Sequence, residues 1–305
     1  NKIKEALLRA EGVYDGLSKE QIKLLLSIKQ AGFKNGWFTS KNVRKALFGI
    51  CEILNESDFV EFTSRYVNQL SKLKGGKEIG VIMAGNIPAV GFHDFLCVLL
   101  SGNTVVTKMS SDDEVLIPAI ADLLISIEQS FKDKVIISSE PRSLYDAVIA
   151  TGSDNSARYF DQYFGKYPNI IRKSRTSIAI ITGKETQKEL VGLGKDIFTY
   201  FGLGCRNVSK VFVPEGYELN KLFKVFYPYS GIIEHKKYAN NYDYNKAIFL
   251  MGSNDLVENG FLLLKEDKSL LSPVAMLYYE YYTDIDFVQE FIKDNSDILQ
   301  CVVSN

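Results

Sequence analysis

The sequence predicts an α/β protein with two lobes, each built on a mostly parallel sheet, behind a helical N-terminal part. Two observations carry that prediction. From residue 78 onward, short apolar runs of the kind buried in parallel sheets alternate with longer helical stretches. Residues 1 to about 72, in contrast, show only helical periodicity and are rich in Lys and Glu. A chain of 305 residues, 46% of them hydrophobic, holds material for two domains of ordinary size.

In the N-terminal part, Ser18 with Gln21 makes a capping-box signature for a helix over 22–31, and Thr39 or Ser40 can cap one over 43–54. Lys34-Asn35-Gly36-Trp37 reads as a turn that leaves the single tryptophan packing between helices. Gly75-Gly76 marks the change of rhythm. The first strand is expected over 78–84, and Gly85-Asn86-Ile87-Pro88 follows it. Pro88 suits the first turn of a helix that runs through Leu100, because its missing N–H would have no partner there anyway. Ser101-Gly102-Asn103 closes that helix and Thr104–Lys108 is the next strand. A helix over 115–129, strands at 135–138 and 146–150, and a helix over 154–164 continue the alternation. The second lobe opens with a strand over 177–181 and a helix over 184–200. Strands follow near 210–213, 246–251, 274–279 and 299–303, with helices near 219–226 and 284–293. Tyr238-Ala239-Asn240-Asn241-Tyr242-Asp243-Tyr244 reads as a polar, aromatic loop at the surface or facing substrate.

Ligands of such sheets sit beyond the carboxyl ends of the strands. Three polar sets fall there: Gly85 with Asn86, Lys108 with Ser110 and Ser111, and Gly152 with Ser153. Each also has a plain structural use, Asn86 as a helix cap, Lys108 as a solvated strand end, and Gly152-Ser153 as an N-cap turn. Together, a cation and a helix N-terminus suit the phosphates and ribose of a dinucleotide, although no GxGxxG fingerprint is present. In the second lobe, Gly202-Leu203-Gly204-Cys205 puts one thiol between a helix and a strand that ends at Pro214. Glycines at 202 and 204 allow a sharp turn. Cys205 on such a turn can present its sulfur and aim its amide N–H at an oxyanion; the alternative is a small buried hydrophobe. With the nucleotide-like sets in one lobe and the thiol in the other, the chemistry is expected where the lobes face each other.

Composition excludes several classes. The net charge of −1 lacks the basic excess of a nucleic-acid surface. No apolar run approaches the roughly 20 residues of a membrane span, and no secretory leader is visible. Cys51, Cys97, Cys205 and Cys301 are scattered without CxxC spacing, and the two histidines lie far apart, so neither a metal cluster nor a disulfide framework is expected. A reducing cytoplasm is the expected setting.

The ordered motifs resemble the aldehyde dehydrogenase superfamily, and within it the acyl-CoA reductases of the LuxC type. The resemblance runs from about Gly80 to the end. It is carried by Gly85-Asn86-Ile87-Pro88, by Ser101-Gly102-Asn103-Thr104-Val105-Val106-Thr107-Lys108, by Thr151-Gly152-Ser153, and by Gly204-Cys205 with Val211-Phe212-Val213-Pro214. Gly91-Phe92-His93-Asp94-Phe95, Tyr163-Phe164-Gly165-Lys166-Tyr167-Pro168 and Phe201-Gly202-Leu203-Gly204-Cys205-Arg206-Asn207 are similar to the reductase branch in particular. The resemblance implies two three-layer α/β/α lobes, a Rossmann-like cofactor lobe ending at residue 177 with the helical part before it, and a catalytic lobe over 178–305. It also implies Cys205 as nucleophile and the Asn86 amide as oxyanion donor. Met83 and Ala84 would line the nicotinamide, Lys108 would reach the adenosine ribose with Ser110 and Ser111 beside it, and Gly152 with Ser153 would meet the pyrophosphate.

Departures from the superfamily pattern sharpen the expectation. Arg172 stands where hydrolytic members keep a glutamate that activates water, and a guanidinium is no general base at neutral pH. Ser269, ahead of Pro273-Val274, replaces the glutamate that usually holds the nicotinamide ribose, and Ser111 replaces one set against the adenosine ribose in NAD-preferring relatives. Losing the second charge favours NADPH, with NADH as the alternative donor. The superfamily's return segment is not found after Asn305, nor its long hairpin before the first strand, which leaves a homo-oligomer or partner subunit open. The expected reaction is reduction of a fatty acyl thioester, carried by CoA or a carrier protein, to an aldehyde through an acyl-cysteine. The rivals are a thiol acyltransferase or thioesterase pairing Cys205 with His93 or His235, and a catalytically silent scaffold subunit.

Overall fold

The computed structural model describes residues 2–73, 75–138 and 144–304. Two compact units divide the chain between Lys173 and Ser174. The first unit opens with α1 (Lys2–Leu7), α2 (Lys19–Lys34), α3 (Ser40–Ile53), α4 (Glu56–Ser64) and α5 (Val67–Leu70). Helix α2 starts at the expected capping box: Ser18 Oγ accepts from the Gln21 N–H and Gln21 Oε1 accepts from the Ser18 N–H. Thr39, not Ser40, caps α3. Leu24, Ile28 and Ala31 on α2, and Val43, Leu47 and Ile50 on α3, recur at helical spacing and are buried, so each helix lays one apolar stripe on the core. Trp37 packs against the same cluster.

The sheet of this unit comprises β1 (Glu78–Ile82), β2 (Thr104–Lys108), β3 (Val135–Ser138), β4 (Ala147–Thr151) and β5 (Asn169–Arg172). Its order is β3-β2-β1-β4-β5, with every pairing parallel. The connecting helices are α6 (Phe92–Leu100), α7 (Leu116–Ile127) and α8 (Asp154–Phe164). Successive strand residues point to opposite faces. Accordingly, Val81 and Val105 join the core of α2, α3, α6 and α7, while Ile82, Val106, Val148 and Ala150 join a second core with Phe164. Both faces are covered, which is why these strands read as unbroken apolar runs. The order of the strands reverses between β1 and β4, the place where open sheets of this kind bind ligands.

One local expectation differs. Pro88 lies ahead of α6, not in its first turn, because Ala89 takes a left-handed backbone (φ 53°) and the helix starts only at Phe92.

The second unit contains β6 (Thr176–Ile180), α9 (Gln187–Phe198), β7 (Val208–Pro214), α10 (Asn220–Phe226), α11 (Lys236–Met251), β8 (Val257–Glu258), β9 (Leu263–Glu266), β10 (Met276–Tyr282), α12 (Ile285–Asp294) and β11 (Leu299–Val303). The sheet order is β11-β6-β7-β10-β9-β8, parallel except for β8 against β9. Ala179, Val211, Val213 and Leu277 face Leu193, Ile197, Leu222 and Phe226 of α9 and α10, whereas Ile178 and Phe212 face Val288 of α12 and Leu299. This unit too is three-layered.

Residues 246–251, expected as a strand, and 238–244, expected as a loop, both belong to α11. Tyr238, Tyr242 and Asn245 recur at helical spacing and are buried. Their polar ends are satisfied: the Tyr238 hydroxyl donates to the Phe261 carbonyl at 2.9 Å, the Tyr242 hydroxyl to Glu258, and Asn245 Nδ2 to the Val274 carbonyl at 2.8 Å. A polar-tipped stripe hides a buried helix face from a purely hydrophobic reading.

Candidate active site

Helix α9 opens on a Thr186–Glu189 capping box and stops at Phe198. Tyr200, Phe201 and Gly202 then take left-handed backbone, with φ of 52°, 59° and 78°. The sequence pointed to Gly202 and Gly204 for this reversal; two aromatic residues share it with Gly202 instead. A left-handed L-residue costs roughly 1–2 kcal/mol. Packing offsets this: the Phe201 ring lies 4.3 Å from the His235 imidazole and 6.1 Å from the Tyr238 ring. Asn207, buried, clamps the far side of the turn. Its Oδ1 accepts from the Gly204 N–H at 2.8 Å, its Nδ2 donates to the Asp196 carbonyl at 2.7 Å, and its own N–H donates to the Gly204 carbonyl at 2.9 Å. Ser177 Oγ donates to the Cys205 carbonyl at 2.9 Å. The result is an exposed Cys205 on a braced turn, which excludes the buried-packing role.

Cys205 precedes β7, so the thiol sits at the amino end of that strand, not beyond a carboxyl end as in the usual rule. Strand β7 also anchors a second loop. Ser209 Oγ donates to the Leu270 carbonyl at 2.7 Å, and Lys210 Nζ donates to the Asp267 carbonyl at 2.8 Å and to Glu280 Oε2 at 2.5 Å. Lys210 is fully buried, its ammonium 5.0 and 5.4 Å from the Phe212 and Phe291 ring centres. The Ser269 N–H donates to Asp267 Oδ1 at 2.8 Å. Thus residues just after the thiol hold the loop that carries Ser269.

In the first unit, the expected residues follow the ends of β1, β2 and β4. Met83 is buried, and its N–H donates to the Lys108 carbonyl at 3.1 Å. Ala84 is half-buried and Asn86 exposed. A Cβ on Gly85 would lie 2.5 Å from Ser110 Oγ, so only glycine lets the loops after β1 and β2 meet there. Lys108 and Ser110 are half-buried and Ser111 is exposed. Gly152 is as tight: its Cβ would lie 2.8 Å from Ser156 Cβ. Ser153 caps α8, accepting from the Ser156 N–H at 3.3 Å. Capping leaves the helix N-terminus in place as an anion site. The cation and hydroxyls at the end of β2 and the helix N-terminus after β4 flank β1, and are groups of the kind that could hold a dinucleotide. Cys205 and its turn belong to the second unit, and Asn86 with the residues expected to hold the cofactor belong to the first.

Four residues were given no role in the sequence reading. Asp113 is buried; its Oδ2 accepts from the Ala89 N–H at 2.7 Å and its Oδ1 from the Leu116 N–H at 3.4 Å. Burial pushes its carboxyl up to about 6, against those two donors. An acidic residue just ahead of a helix was the available signal. Asp94 pairs with the Arg172 guanidinium. Burial raises the Asp94 carboxyl, but His93 and Arg172 outweigh it and hold it below its ordinary value. Lys210 was signalled by a charge inside an apolar run, and Asn207 by nothing local.

Both histidines have local partners. Asp94, and then Cys97, push the His93 imidazole above its usual range, towards the cation. His235 Nδ1 accepts from the Tyr238 N–H at 3.4 Å, at the start of α11. Among the described residues, no group of His, Cys, Asp and Glu could hold a metal ion, and no helix is long and apolar enough to cross a membrane.

The fold is that of the aldehyde dehydrogenases. Aldehyde dehydrogenase 21 from Physcomitrella patens, in complex with succinate, superposes over 100% of this chain and 77% of its own, with a TM-score of 0.64 and 12% identity. Glyceraldehyde-3-phosphate dehydrogenase GapN from Methanocaldococcus jannaschii, complexed with NADP, covers 99% of this chain and 85% of its own, with a TM-score of 0.60 and 14% identity. Within that fold, the family described as acyl-CoA reductase (LuxC) matches residues 41–222, more than half of the chain. The chain belongs to the LuxC acyl-CoA reductase family. It is similar to the long-chain acyl-protein thioester reductase of Aliivibrio fischeri, 23% identical over 245 residues. It is also similar to long-chain acyl-protein thioester reductase 2 of Photobacterium leiognathi, 24% identical over 162 residues. These matches cover 70% and 48% of this chain, but only 50% and 33% of the relatives' own lengths.

Proposed function

We propose that this chain reduces a fatty acyl thioester, borne by CoA or by a protein, to the aldehyde through an acyl group on Cys205. The observation that carries the reading is the exposed thiol on its braced turn, in a chain of the LuxC family. Cys205 thiolate attacks the thioester carbonyl, the C–S bond to the carrier breaks, and the carrier leaves as thiolate. The Asn86 side chain and the Cys205 amide stabilise the oxyanion; losing one such donor typically costs about 3–4 kcal/mol. Met83 and Ala84 would line the nicotinamide, Lys108, Ser110 and Ser111 would hold the adenosine ribose, and Gly152 with Ser153 the pyrophosphate. The reduced cofactor supplies, when bound, the hydride that converts the acyl group to aldehyde. NADPH is the preferred donor because Ser111 brings no carboxylate to repel a 2′-phosphate. Arg172, tied to Asp94, cannot activate water, so the acyl-enzyme persists until it is reduced.

The relatives' names favour a protein-borne thioester and the family's description favours CoA. The test is purified protein with a series of acyl-CoAs and acyl-carrier thioesters, with NADPH or NADH, followed by absorbance of the reduced ring. Thioester-dependent oxidation of NADPH, abolished in Cys205→Ala, is the expected result. Full aldehyde production by Cys205→Ala would refute the reading, and release of free acid without cofactor use would favour a hydrolase.

A further inference from the structure

The turn bearing Asn86 exposes that residue while burying Gly85, Pro88 and Ala89, and it contains a residue in an unfavourable conformation, so something must hold it. Ala89 has φ 53°, a backbone that L-residues adopt at a cost of roughly 1–2 kcal/mol. Its N–H points at the Asp113 carboxylate, 2.7 Å away, inside the protein. Asp113 comes from the other side of the site, on the loop that follows β2 and carries Ser110 and Ser111. That loop is itself fixed. The Asp113 N–H donates to the Ser110 carbonyl at 3.1 Å, and the Asp112 N–H to Ser110 Oγ at 3.3 Å. Gly85 lies directly against Ser110 and Asp112, leaving no space for a side chain. The Asn86 turn is therefore pinned at both ends to the loop after β2: at Gly85 by close packing and at Ala89 by a charge-assisted hydrogen bond. The same carboxylate reaches the first turn of α7 through the Leu116 N–H, at a longer 3.4 Å.

We infer that Asp113 is a positioning residue for Asn86, holding the left-handed turn that aims the amide and coupling it to the ribose-side loop. A helix cap alone would use the Leu116 contact and leave Ala89 to other partners; here the shorter bond goes to Ala89. Burial raises the Asp113 carboxyl to about 6, in keeping with a group kept dry to serve backbone donors. The inference rests on the reading of Asn86 as oxyanion donor, so its test must separate the two.

Two substitutions distinguish an anchor from a cap. Asp113→Ser keeps a side chain that can cap α7 but is too short to reach Ala89; Asp113→Asn keeps the size and removes the charge. Acylation of Cys205 would be timed by mass spectrometry after mixing with acyl-CoA, without cofactor, alongside thermal melts. If Asp113 acts through Asn86, Asp113→Ser should slow acylation by about 10- to 100-fold, the scale of a small misplacement of a catalytic group, while melting close to the unaltered protein. Placed on Asn86→Ala, either substitution should then slow acylation no further, because residues acting as one unit are not additive. Wild-type rates in a folded Asp113→Ser would overturn the inference alone, leaving Asp113 as a cap. So would equal slowing in the Asn86→Ala background. No acylation of the unaltered protein, or none lost in Asn86→Ala, would overturn the reading of Asn86 and the inference with it.

Discussion

Under the proposed reaction, the guanidinium at residue 172 offers no base to release an acyl group as free acid. At the end of β5 it pairs with Asp94, a carboxylate held ionised by His93 and the guanidinium itself. Charge and geometry both keep it from accepting a proton from water. Arg172→Glu should reverse this. It sets a carboxylate beside Asp94, and like charges at close range raise one of the two pKa values toward the range of a working base. General bases contribute typically 10²- to 10⁴-fold, so even a poorly aimed glutamate should shorten the acyl-enzyme lifetime by about tenfold. Labelled acyl group released as free acid, with no reduced cofactor added, is the measurement. An unchanged lifetime would show that water is excluded by something other than the missing base.

Among the elements, β7 does most to connect the thiol turn with the rest of its unit. Lys210 lies wholly inside, paired with Glu280 of β10 and bonded to the Asp267 carbonyl. Removing one partner of such a pair strands the other charge, at about 3–5 kcal/mol, whereas replacing both by apolar residues is often neutral. Lys210→Met should therefore lower stability to urea by about that amount, and Lys210→Met with Glu280→Leu should regain most of it. A double variant as weak as the single one would mean that the Asp267 carbonyl contact, not the ion pair, carries the stability. This element also shows what a sequence can reveal. Strand β7 was legible because both its faces are buried, as was β2, where Val105 and Val106 serve opposite cores. Helix α11 was not, because its inward stripe is Tyr238, Tyr242 and Asn245, whose burial depends on distant acceptors. Of the candidate residues, Cys205, Asn86, Lys108 and Ser153 were named from turn chemistry and resemblance. Asn207 was not, since its partners Gly204 and Asp196 are joined only by the left-handed turn at Tyr200 and Phe201. That turn is held by tertiary aromatic packing that no local preference announces.

At the scale of the whole molecule, each unit has its own sheet and, among the described residues, its own cores. The core around α2, α3, α6 and α7 and the one around Phe164 draw only on residues before Lys173, whereas those of α9, α10 and α12 draw only on residues after it. Every residue assigned to the cofactor (Met83, Ala84, Lys108, Ser110, Ser111, Gly152, Ser153) lies in the first unit, and the thiol lies in the second. If those assignments hold, binding and chemistry should be separable by cutting the chain. A unit with its own two-sided core has what it needs to fold alone, and the pieces that would meet phosphate and ribose come from loops braced within it, Gly85 against Ser110 and Ser153 on α8. A fragment of residues 1–173 should show a cooperative melt and shift the fluorescence of NADPH. Its affinity should fall within about tenfold of the intact chain's, a ratio that leaves the second unit no more than about 1.4 kcal/mol of the binding free energy. It should consume no cofactor with any thioester. A fragment that melts cooperatively yet leaves the fluorescence unmoved, while the intact chain responds, would place essential cofactor-binding groups on the second unit. The loop of Ser269 and Asp267 would then be the first place to look, because β7 fixes it to the same segment as Cys205.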